Sequence, residues 1–292
     1  MAFPGSWRSP LDPERVMNTQ VIRWQEGEQQ QREEYLTIED PCEIRLGGRS
    51  LAVIMRTPGH DFELVLGFLL TEGIIAQPED VLAVRVACDA EGLPLANVVE
   101  VTLSAPVMER AAESAFQRNF AVSASCGLCG RDSIVDVLSM NEPLTADGLR
   151  ILAPDLYRLP ALLREAQAVF THTGGLHAAG LFTIQGELTL LREDVGRHNA
   201  VDKLIGYGLL HHTLPYSRSI LLVSGRTSFE IIQKALQARI PCIAAISAPS
   251  SLAVELAEQS GITLIGFLRE RTMNIYSHPE RIVPALRTLM DT

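Results

Sequence analysis

The sequence predicts an α/β protein in which a smaller N-terminal α+β domain precedes a C-terminal three-layer α/β/α domain. Two patterns carry this prediction. From residue 197 onwards, short apolar runs alternate with helical runs, which is typical of parallel strands covered by helices on both faces. Before residue 119, strand-like runs of alternating apolar and polar residues are interspersed with two helical runs. The chain has 292 residues, of which 47% are hydrophobic, so each domain can bury a core.

The first domain is expected to span residues 33–125. It follows a loosely ordered lead, residues 1–32, which is polar and contains three consecutive glutamines. Apolar and polar residues alternate over 35–56, and the Gly47-Gly48 pair between two runs predicts a hairpin. Seven apolar side chains over 61–71 predict a well-buried helix. The other expected elements are strands over 81–86 and 98–103 and a helix over 108–118.

Residues 126–144 are expected to be the joint between the domains, because this segment combines a glycine-flanked cysteine pair with the Asn141-Glu142-Pro143 break. The second domain then spans residues 145–292. Its expected elements are a helix over 161–168, strands over 177–184 and 187–192, a helix over 197–210, a strand over 219–224, a helix over 229–238, a strand over 242–247, a helix over 251–259 and a strand over 263–267.

Composition narrows the class of protein. No run of about eighteen apolar residues occurs and residues 1–15 carry charges, so we expect a soluble cytoplasmic protein that does not bind a membrane. Five cysteines cannot all pair internally, which favours a reducing compartment. The net charge of -10 disfavours nucleic-acid binding, which depends on Lys and Arg neutralising phosphates. A small anionic ligand is compatible with this charge, because salt screens distant groups beyond about 10 Å.

Three successive strands of the second domain are followed by polar loops, at residues 224–228, 247–251 and 267–272. In an open parallel sheet the carboxyl ends of the strands form one edge, where ligands bind. Because arginine matches phosphate oxygens bidentately, the loops predict a phosphate or nucleotide site, although each loop alone is better explained by ordinary helix capping. The arginines of these loops are Arg226, Arg269 and Arg271.

Two further polar clusters lie at ends of the expected strands of residues 177–192. His177 follows a glycine pair, which lets a backbone approach a ligand closely. In the run Glu193-Asp194-Val195-Gly196-Arg197-His198-Asn199, an acidic residue could orient the histidine for proton transfer or hold the arginine. The alternative is a turn and a capped helix with surface ion pairs. Asp202 and Lys203 are neighbours on the expected helix and do not face each other, so they are expected to form a solvated charged face.

The segment Cys126-Gly127-Leu128-Cys129-Gly130 places two thiols two residues apart, before a helical run over 133–138. A free thiol titrates near ~8.5, and the start of a helix favours the thiolate. Three hypotheses stay open from this spacing: half of a zinc site, a dithiol redox site and a carrier of sulfur as persulfide. The sequence has no second C-x2-C pair to complete a zinc site. Packing on or beside strands explains the remaining cysteines, Cys42, Cys88 and Cys242.

The block Glu-Asp-Val-Gly-Arg-His-Asn-Ala-Val-Asp-Lys occupies residues 193–203, and Cys-Gly-Leu-Cys-Gly occupies residues 126–130. Further blocks lie at residues 39–44, 66–73, 173–179, 224–234, 247–257 and 266–276. Together these blocks resemble the formate dehydrogenase accessory sulfurtransferase family, FdhD/NarQ. The resemblance covers most of residues 35–283 and leaves out the first 32 residues.

The resemblance implies that the chain receives sulfane sulfur from a cysteine desulfurase. The sulfur then passes to the molybdenum or tungsten bis(guanine dinucleotide) cofactor before this cofactor enters the formate dehydrogenase catalytic subunit. Cys126 matches the position of the persulfide intermediate, and Cys129 matches the second thiol. The resemblance also implies a second domain similar to the cytidine deaminase fold without its zinc ligands, no permanently bound metal, and a homodimer.

The resemblance aligns the cofactor-binding segment of the family with residues 267–272. Together with the expected sheet edge, this gives a set of residues that we expect to bind the cofactor: Ser224, Gly225, Arg226, Ser247, Phe267, Leu268, Arg269, Glu270, Arg271, Thr272, His177 and His198. The pyrophosphates and guanines of the acceptor account for arginines gathered on an acidic protein. Two alternative functions are a cofactor-binding chaperone with dispensable thiols and a dithiol oxidoreductase.

Overall fold

The computed structural model describes residues 13–114, 142–145 and 148–285. The strands in these ranges are β1 Val16–Gln25, β2 Glu28–Thr37, β3 Asp40–Leu46, β4 Arg49–Arg56, β5 Val81–Cys88, β6 Pro94–Leu103, β7 Ile151–Leu152, β8 His177–Thr183, β9 Leu188–Asp194, β10 Ser219–Val223, β11 Cys242–Ala245, β12 Thr263–Gly266, β13 Asn274–Ser277 and β14 Ile282–Val283. The α-helices are α1 Asp61–Thr71, α2 Ala105–Ser114, α3 Ala153–Ala166, α4 Ala168–Thr173, α5 Arg197–Leu210, α6 Phe229–Gln237 and α7 Ser251–Ser260.

The range expected to form the first domain contains a four-stranded sheet with the order β4-β3-β6-β5. β3 and β4 form the predicted hairpin, whose turn residues Gly47 and Gly48 have φ angles of 57° and 78°. Both angles lie in the left-handed region that glycine adopts without a steric penalty, so this pair fixes the turn. The helix predicted over residues 61–71 is confirmed as α1, and the two strands predicted after it are confirmed as β5 and β6.

Residues 16–37 form an antiparallel ribbon of β1 and β2, whereas the sequence predicts a loosely ordered lead as far as residue 32. Glu26-Gly27 makes the turn, with both residues at positive φ. The base of the ribbon is anchored where Val16 packs with Val169 and Leu176. The prediction missed this hairpin because both faces of the ribbon are largely exposed, so neither face requires a continuous apolar pattern.

The range expected to form the second domain contains a six-stranded sheet with the order β13-β12-β11-β10-β8-β9. β10, β11 and β12 pair in parallel, and β8 pairs antiparallel with β9 and β10. Alternate residues of β10 enter opposite cores, since successive side chains of a strand point to opposite faces. Ile220 and Leu222 share a core with α3, whereas Leu221 and Val223 share one with α5, α6 and α7. The sheet therefore has helices on both faces, as the α/β pattern predicts.

The first helix of this domain differs from the prediction of residues 161–168. α3 begins at Ala153 and contains Pro160, and a separate helix, α4, begins at Ala168. An interior proline costs a helix about 3 kcal/mol, because it removes a backbone hydrogen bond and crowds the preceding turn. Three fully buried leucines of α3 offset this cost, since each contributes about 1.5–3 kcal/mol by leaving water.

α1 and α5 pack so closely that their backbones touch. A Cβ atom at Gly67 would overlap the carbonyl group of Asp202, and a Cβ atom at Gly206 would overlap the carbonyl group of Glu63. Glycine is therefore required at both positions. One continuous apolar core extends from the four-stranded sheet through both helices to the six-stranded sheet.

Candidate functional site

The loops at residues 224–228, 247–251 and 267–272 follow β10, β11 and β12, which are parallel neighbours in the sheet. Their shared position is confirmed, and we call these three loops the carboxyl-end edge. Backbone hydrogen bonds tie the loops together. The N–H of Phe267 donates to the carbonyl of Ser247 at 3.1 Å, and the N–H of Thr227 donates to that of Ala248 at 3.2 Å.

Some side chains of residues 267–272 are exposed, whereas others are buried or hydrogen-bonded within the protein. Phe267 has a φ of 50° and remains 42% exposed, an unusual backbone conformation for an aromatic residue that presents its ring at the edge. Leu268 is fully buried in the core beside α3, so its side chain does not face a ligand. Nη1 of Arg269 donates to the carbonyl of Ile246 at 2.6 Å and to that of Leu268 at 3.0 Å. Its three neighbours, Glu270, Arg271 and Thr272, are exposed.

The loop after β10 also contains residues with different roles. Ser224 holds β8 and β10 together, because its Oγ accepts from the N–H of Ala178 at 2.9 Å and its N–H donates to the carbonyl of Ala178 at 3.0 Å. At Gly225 a Cβ atom would lie 3.2 Å from Nδ1 of His177 and 3.6 Å from Cδ of Arg197. The absence of a side chain thus lets both residues pack against the loop backbone. Arg226 is exposed.

Burial favours the neutral form of both candidate histidines. Burial lowers the pKa of His198 to about 4, with help from the charges of Lys234 and Arg197 and against that of Glu230. Burial and then the charge of Arg197 lower the pKa of His177. His198 Nε2 lies 3.0 Å from the hydroxyl oxygen of Ser228, so the first turn of α5 contacts the start of α6.

Arg197 lies beside these loops, although the sequence-based set of candidates omits it. It is the first residue of α5, and its Nε is buried without an acceptor among the residues that the structure describes. The sequence hypothesis that Glu193 or Asp194 holds this arginine is wrong. Glu193 accepts from the N–H groups of Val169 at 3.1 Å and Phe170 at 2.9 Å, at the start of α4. The carboxylate of Glu193 therefore accepts backbone hydrogen bonds at the start of α4 and does not pair with Arg197.

Asp194 does not orient His198 either, because it forms a buried ion pair with Lys203. Lys203 Nζ lies 2.7 Å from Oδ2 of Asp194, and both side chains are fully buried. Asp194 also accepts from the N–H groups of Thr57 at 3.2 Å and Gly196 at 2.8 Å, and Lys203 donates to the carbonyl of Thr57 at 2.8 Å. These bonds fasten the end of β4 to the start of α5. The alternative of surface ion pairs is therefore also wrong.

A second buried pair links α5 to α6. Asp202 lies 2.9 Å from Nζ of Lys234 and accepts from the hydroxyl of Thr71 at 2.8 Å. Burial raises the pKa of Asp202, and the neighbouring Lys234 opposes this shift. The predicted solvated face of Asp202 and Lys203 is wrong, because each residue finds a different buried partner. We call Asp194, Lys203, Asp202 and Lys234 the buried ion-pair network.

The predicted thiols, Cys126 and Cys129, lie outside the described residues. Packing is confirmed for Cys42 and Cys242, since both are fully buried and burial raises the pKa of each thiol to about 12. It is not confirmed for Cys88, which is exposed on β5. Within residues 13–114, 142–145 and 148–285, no group of three or more His, Cys, Asp or Glu side chains is arranged to hold a metal ion.

Comparison with known proteins gives a family match to residues 37–283. The chain belongs to the FdhD/NarQ family. A sulfur carrier protein FdhD from Nocardia farcinica is 48% identical over 265 residues, covering 90% of this chain and 93% of the relative. The protein of the same name from Mycolicibacterium paratuberculosis is 52% identical over 254 residues, covering 86% and 93%. A third, from Sulfurisphaera tokodaii, is 44% identical over 274 residues, covering 92% and 100%.

FdhD/NarQ membership agrees with a solved structure. A crystal structure from Desulfotalea psychrophila, named as that of a formate dehydrogenase accessory protein, superposes with a TM-score of 0.71 at 26% identity. The superposition covers 92% of this chain and 100% of the Desulfotalea psychrophila chain. The family inferred from the sequence blocks is therefore confirmed. None of the helices that the structure describes has the length and apolarity needed to cross a bilayer.

Proposed function

We propose that this FdhD/NarQ protein is a sulfur carrier for formate dehydrogenase maturation. It takes sulfane sulfur from a cysteine desulfurase and delivers it to the molybdenum or tungsten bis(guanine dinucleotide) cofactor. The observation that carries the proposal is the similarity, over most of the chain, to relatives named sulfur carrier protein FdhD. The thiol pair and the carboxyl-end edge supply the two parts that such a carrier requires.

Loading is a thiol exchange at Cys126. The Cys126 thiolate attacks the outer sulfur of the donor persulfide, a new S–S bond forms, and the S–S bond of the donor breaks. The donor cysteine leaves as a thiolate, and its outer sulfur, with the proton, becomes the persulfide of Cys126. The exchange is electron-neutral overall, so loading needs no external oxidant.

Unloading uses Cys129 as the second thiol. Its thiolate attacks the inner sulfur of the Cys126 persulfide, which forms a Cys126–Cys129 disulfide and expels hydrosulfide toward the acceptor. The two electrons that convert sulfane sulfur to sulfide come from the cysteine pair. A cellular thiol reductant then returns the disulfide to the dithiol, which completes the cycle.

The carboxyl-end edge suits the guanine dinucleotide of the acceptor. Phe267 presents a ring on which a guanine can stack, and Arg226 and Arg271 offer exposed guanidinium groups to pyrophosphate oxygens. Gly225 lets His177 pack against the loop backbone, where a Cβ atom would crowd the imidazole ring. We therefore assign the nucleotide portion of the acceptor to this edge.

The proposal includes five further expectations from the family resemblance. The second domain is similar to the cytidine deaminase fold, and the protein acts as a homodimer in the cytoplasm. The desulfurase is the donor partner, and the catalytic subunit of formate dehydrogenase is the client.

Replacement of Cys126 tests the proposed function in cells. In a strain that lacks its own family member, Cys126→Ala should abolish formate dehydrogenase activity while the purified variant still binds GDP like the unmodified protein. The exposed cysteine offers a matched control, and Cys88→Ala should retain full activity. Full activity of Cys126→Ala would overturn sulfur carriage and favour a chaperone that acts by binding the cofactor.

A further inference from the structure

Arg197 occupies an electrostatically unusual position. It is the first residue of the 14-residue helix α5, where the positive end of the helix dipole already disfavours a cation. The first turn of α5 contains no acidic residue, and Gly196 provides no side-chain cap. Nε of Arg197 is also buried without an acceptor in the described part of the chain. An unpaired buried donor is costly, so this position calls for an anion.

The start of α6 converges on the same place. His198 in the first turn of α5 lies 3.0 Å from Ser228, which precedes α6 and does not use its side chain to cap the helix. Two helix starts therefore meet beside Gly225, against which both Arg197 and His177 pack. Backbone N–H groups at helix starts bind phosphate groups, and the dipoles of both helices add to the charge of the arginine.

Two pairs of buried charged groups near this position are already engaged with each other. Asp194, near the start of α5, is neutralised by Lys203 at 2.7 Å, and Lys234 is paired with Asp202 at 2.9 Å. Glu230 is the acidic group at the start of α6, and its Oε2 lies 3.8 Å from Nε2 of His198. The pKa of Glu230 is lowered against the effect of burial by a hydrogen bond with Ser228 and, more weakly, by the charge of Arg197, but within the described residues the two side chains form no ion pair. The guanidinium of Arg197 therefore has no carboxylate partner in the described part of the chain and is available to bind a ligand.

We propose that Arg197 anchors the diphosphate group of a guanine nucleotide, between the starts of α5 and α6 and against Gly225. This inference rests on the proposed function and adds the position of the diphosphate. The guanine then lies toward Phe267, which follows β12. β10 and β12 are separated by β11, so the two positions are about 10 Å apart, given a strand spacing of about 4.8 Å. One nucleotide can span that distance.

Calorimetric titration of the full chain with GDP, guanosine and inorganic pyrophosphate tests the anchor. Arg197→Gln should weaken GDP and pyrophosphate binding roughly 10- to 150-fold, as expected for loss of a charge-assisted contact, and leave guanosine binding unchanged. Arg197→Lys keeps the charge without the bidentate fork, so its affinity for GDP should be intermediate. Arg218→Gln is a matched control, because Arg218 is exposed just before the opposite, amino end of β10.

The outcomes separate this inference from the proposed function. If the unmodified protein binds GDP and Arg197→Gln binds GDP and pyrophosphate equally well, the anchor is wrong while the nucleotide edge stands. If Arg197→Gln loses guanosine and GDP affinity by the same factor, the arginine does not act on the diphosphate, which also overturns the inference. If the unmodified protein binds none of the three ligands, both the inference and the assignment of the acceptor to this edge fail.

Discussion

The carboxyl-end edge and the buried ion-pair network both contain charged residues, but these residues differ in burial and in pairing. In the network, each carboxylate meets an ammonium group within 3 Å, at 2.7 and 2.9 Å, and the chain around it is closed to water. At the edge, Arg226 and Arg271 are exposed, and beside the edge Arg197 is half-buried without an ion pair in the described part of the chain. The difference teaches that paired buried charges fasten β4 and α1 to α5 and α6, whereas charges without partners are available to a ligand.

The largest expected effect comes from breaking the network. Lys203→Met leaves the carboxylate of Asp194 buried without its counter-charge, so we expect a loss of about 3–5 kcal/mol in the free energy of unfolding. Urea denaturation measures it. Arg158→Met is the matched control, because this arginine is 61% exposed and 3.7 Å from Asp155, and exposed pairs contribute less than about 1 kcal/mol. Equal effects of the two variants would contradict the distinction.

His198 lies between the carboxyl-end edge and the buried ion-pair network, and the pH dependence of stability reports on its burial. Its pKa of about 4 in the folded chain lies below the ordinary value near ~6.5, so the unfolded chain binds more protons between these values. Stability should therefore be constant above about pH 6.5 and fall by up to about 3 kcal/mol as the pH decreases to about 4. Urea denaturation at a series of pH values measures this loss.

Substitution shows whether His198 is the source of that pH dependence. His198→Gln should flatten the decline, although His177, whose pKa is also lowered, retains part of it. His212→Asn should leave the profile unchanged, because His212 is exposed and asparagine tolerates its positive φ of 53°. A decline of the same size in His198→Gln would show that another group causes it.

The smallest effect on stability is expected at the edge. Arg271→Ala should change the free energy of unfolding by less than about 0.5 kcal/mol, because the side chain is exposed. The same variant should weaken GDP binding by roughly 1.5–3 kcal/mol if the guanidinium contacts phosphate. Calorimetry and urea denaturation of one preparation compare the two quantities. An unchanged affinity for GDP together with a lower free energy of unfolding would show that Arg271 stabilises the fold and does not bind the nucleotide.

Much of the fold follows from local sequence signals. The apolar pattern of residues 61–71 and 197–210 predicts two helices with the observed bounds, and Gly47-Gly48 predicts the hairpin turn. The edge is also predictable, because strands that alternate with helices align their carboxyl ends. The β1–β2 ribbon is not predictable, because exposure of both faces removes the apolar period. The full length of α3 is not predictable either, because Pro160 suggests a break in the helix.

Roles of charged residues depend on partners that lie far away in the chain. Asp202 accepts from Thr71, which is 131 residues distant, and Asp194 accepts from Thr57, which is 137 residues distant. Sequence spacing places Asp202 beside Lys203 and suggests an exposed face, whereas tertiary contacts bury both. For the same reason Arg197 is not recognisable as unpaired until its acidic neighbours are known to be engaged elsewhere.

The central claim is that Cys126 carries sulfur, and intact-protein mass spectrometry tests it most directly. After incubation with a cysteine desulfurase and cysteine, the protein should gain one sulfur atom, and peptide mapping should place it on Cys126. Cys129→Ser should keep the adduct, because the second thiol acts after loading, and Cys126→Ser should lose it. A chain that gains no sulfur from an active donor, or that gains it equally in Cys126→Ser, would contradict the account.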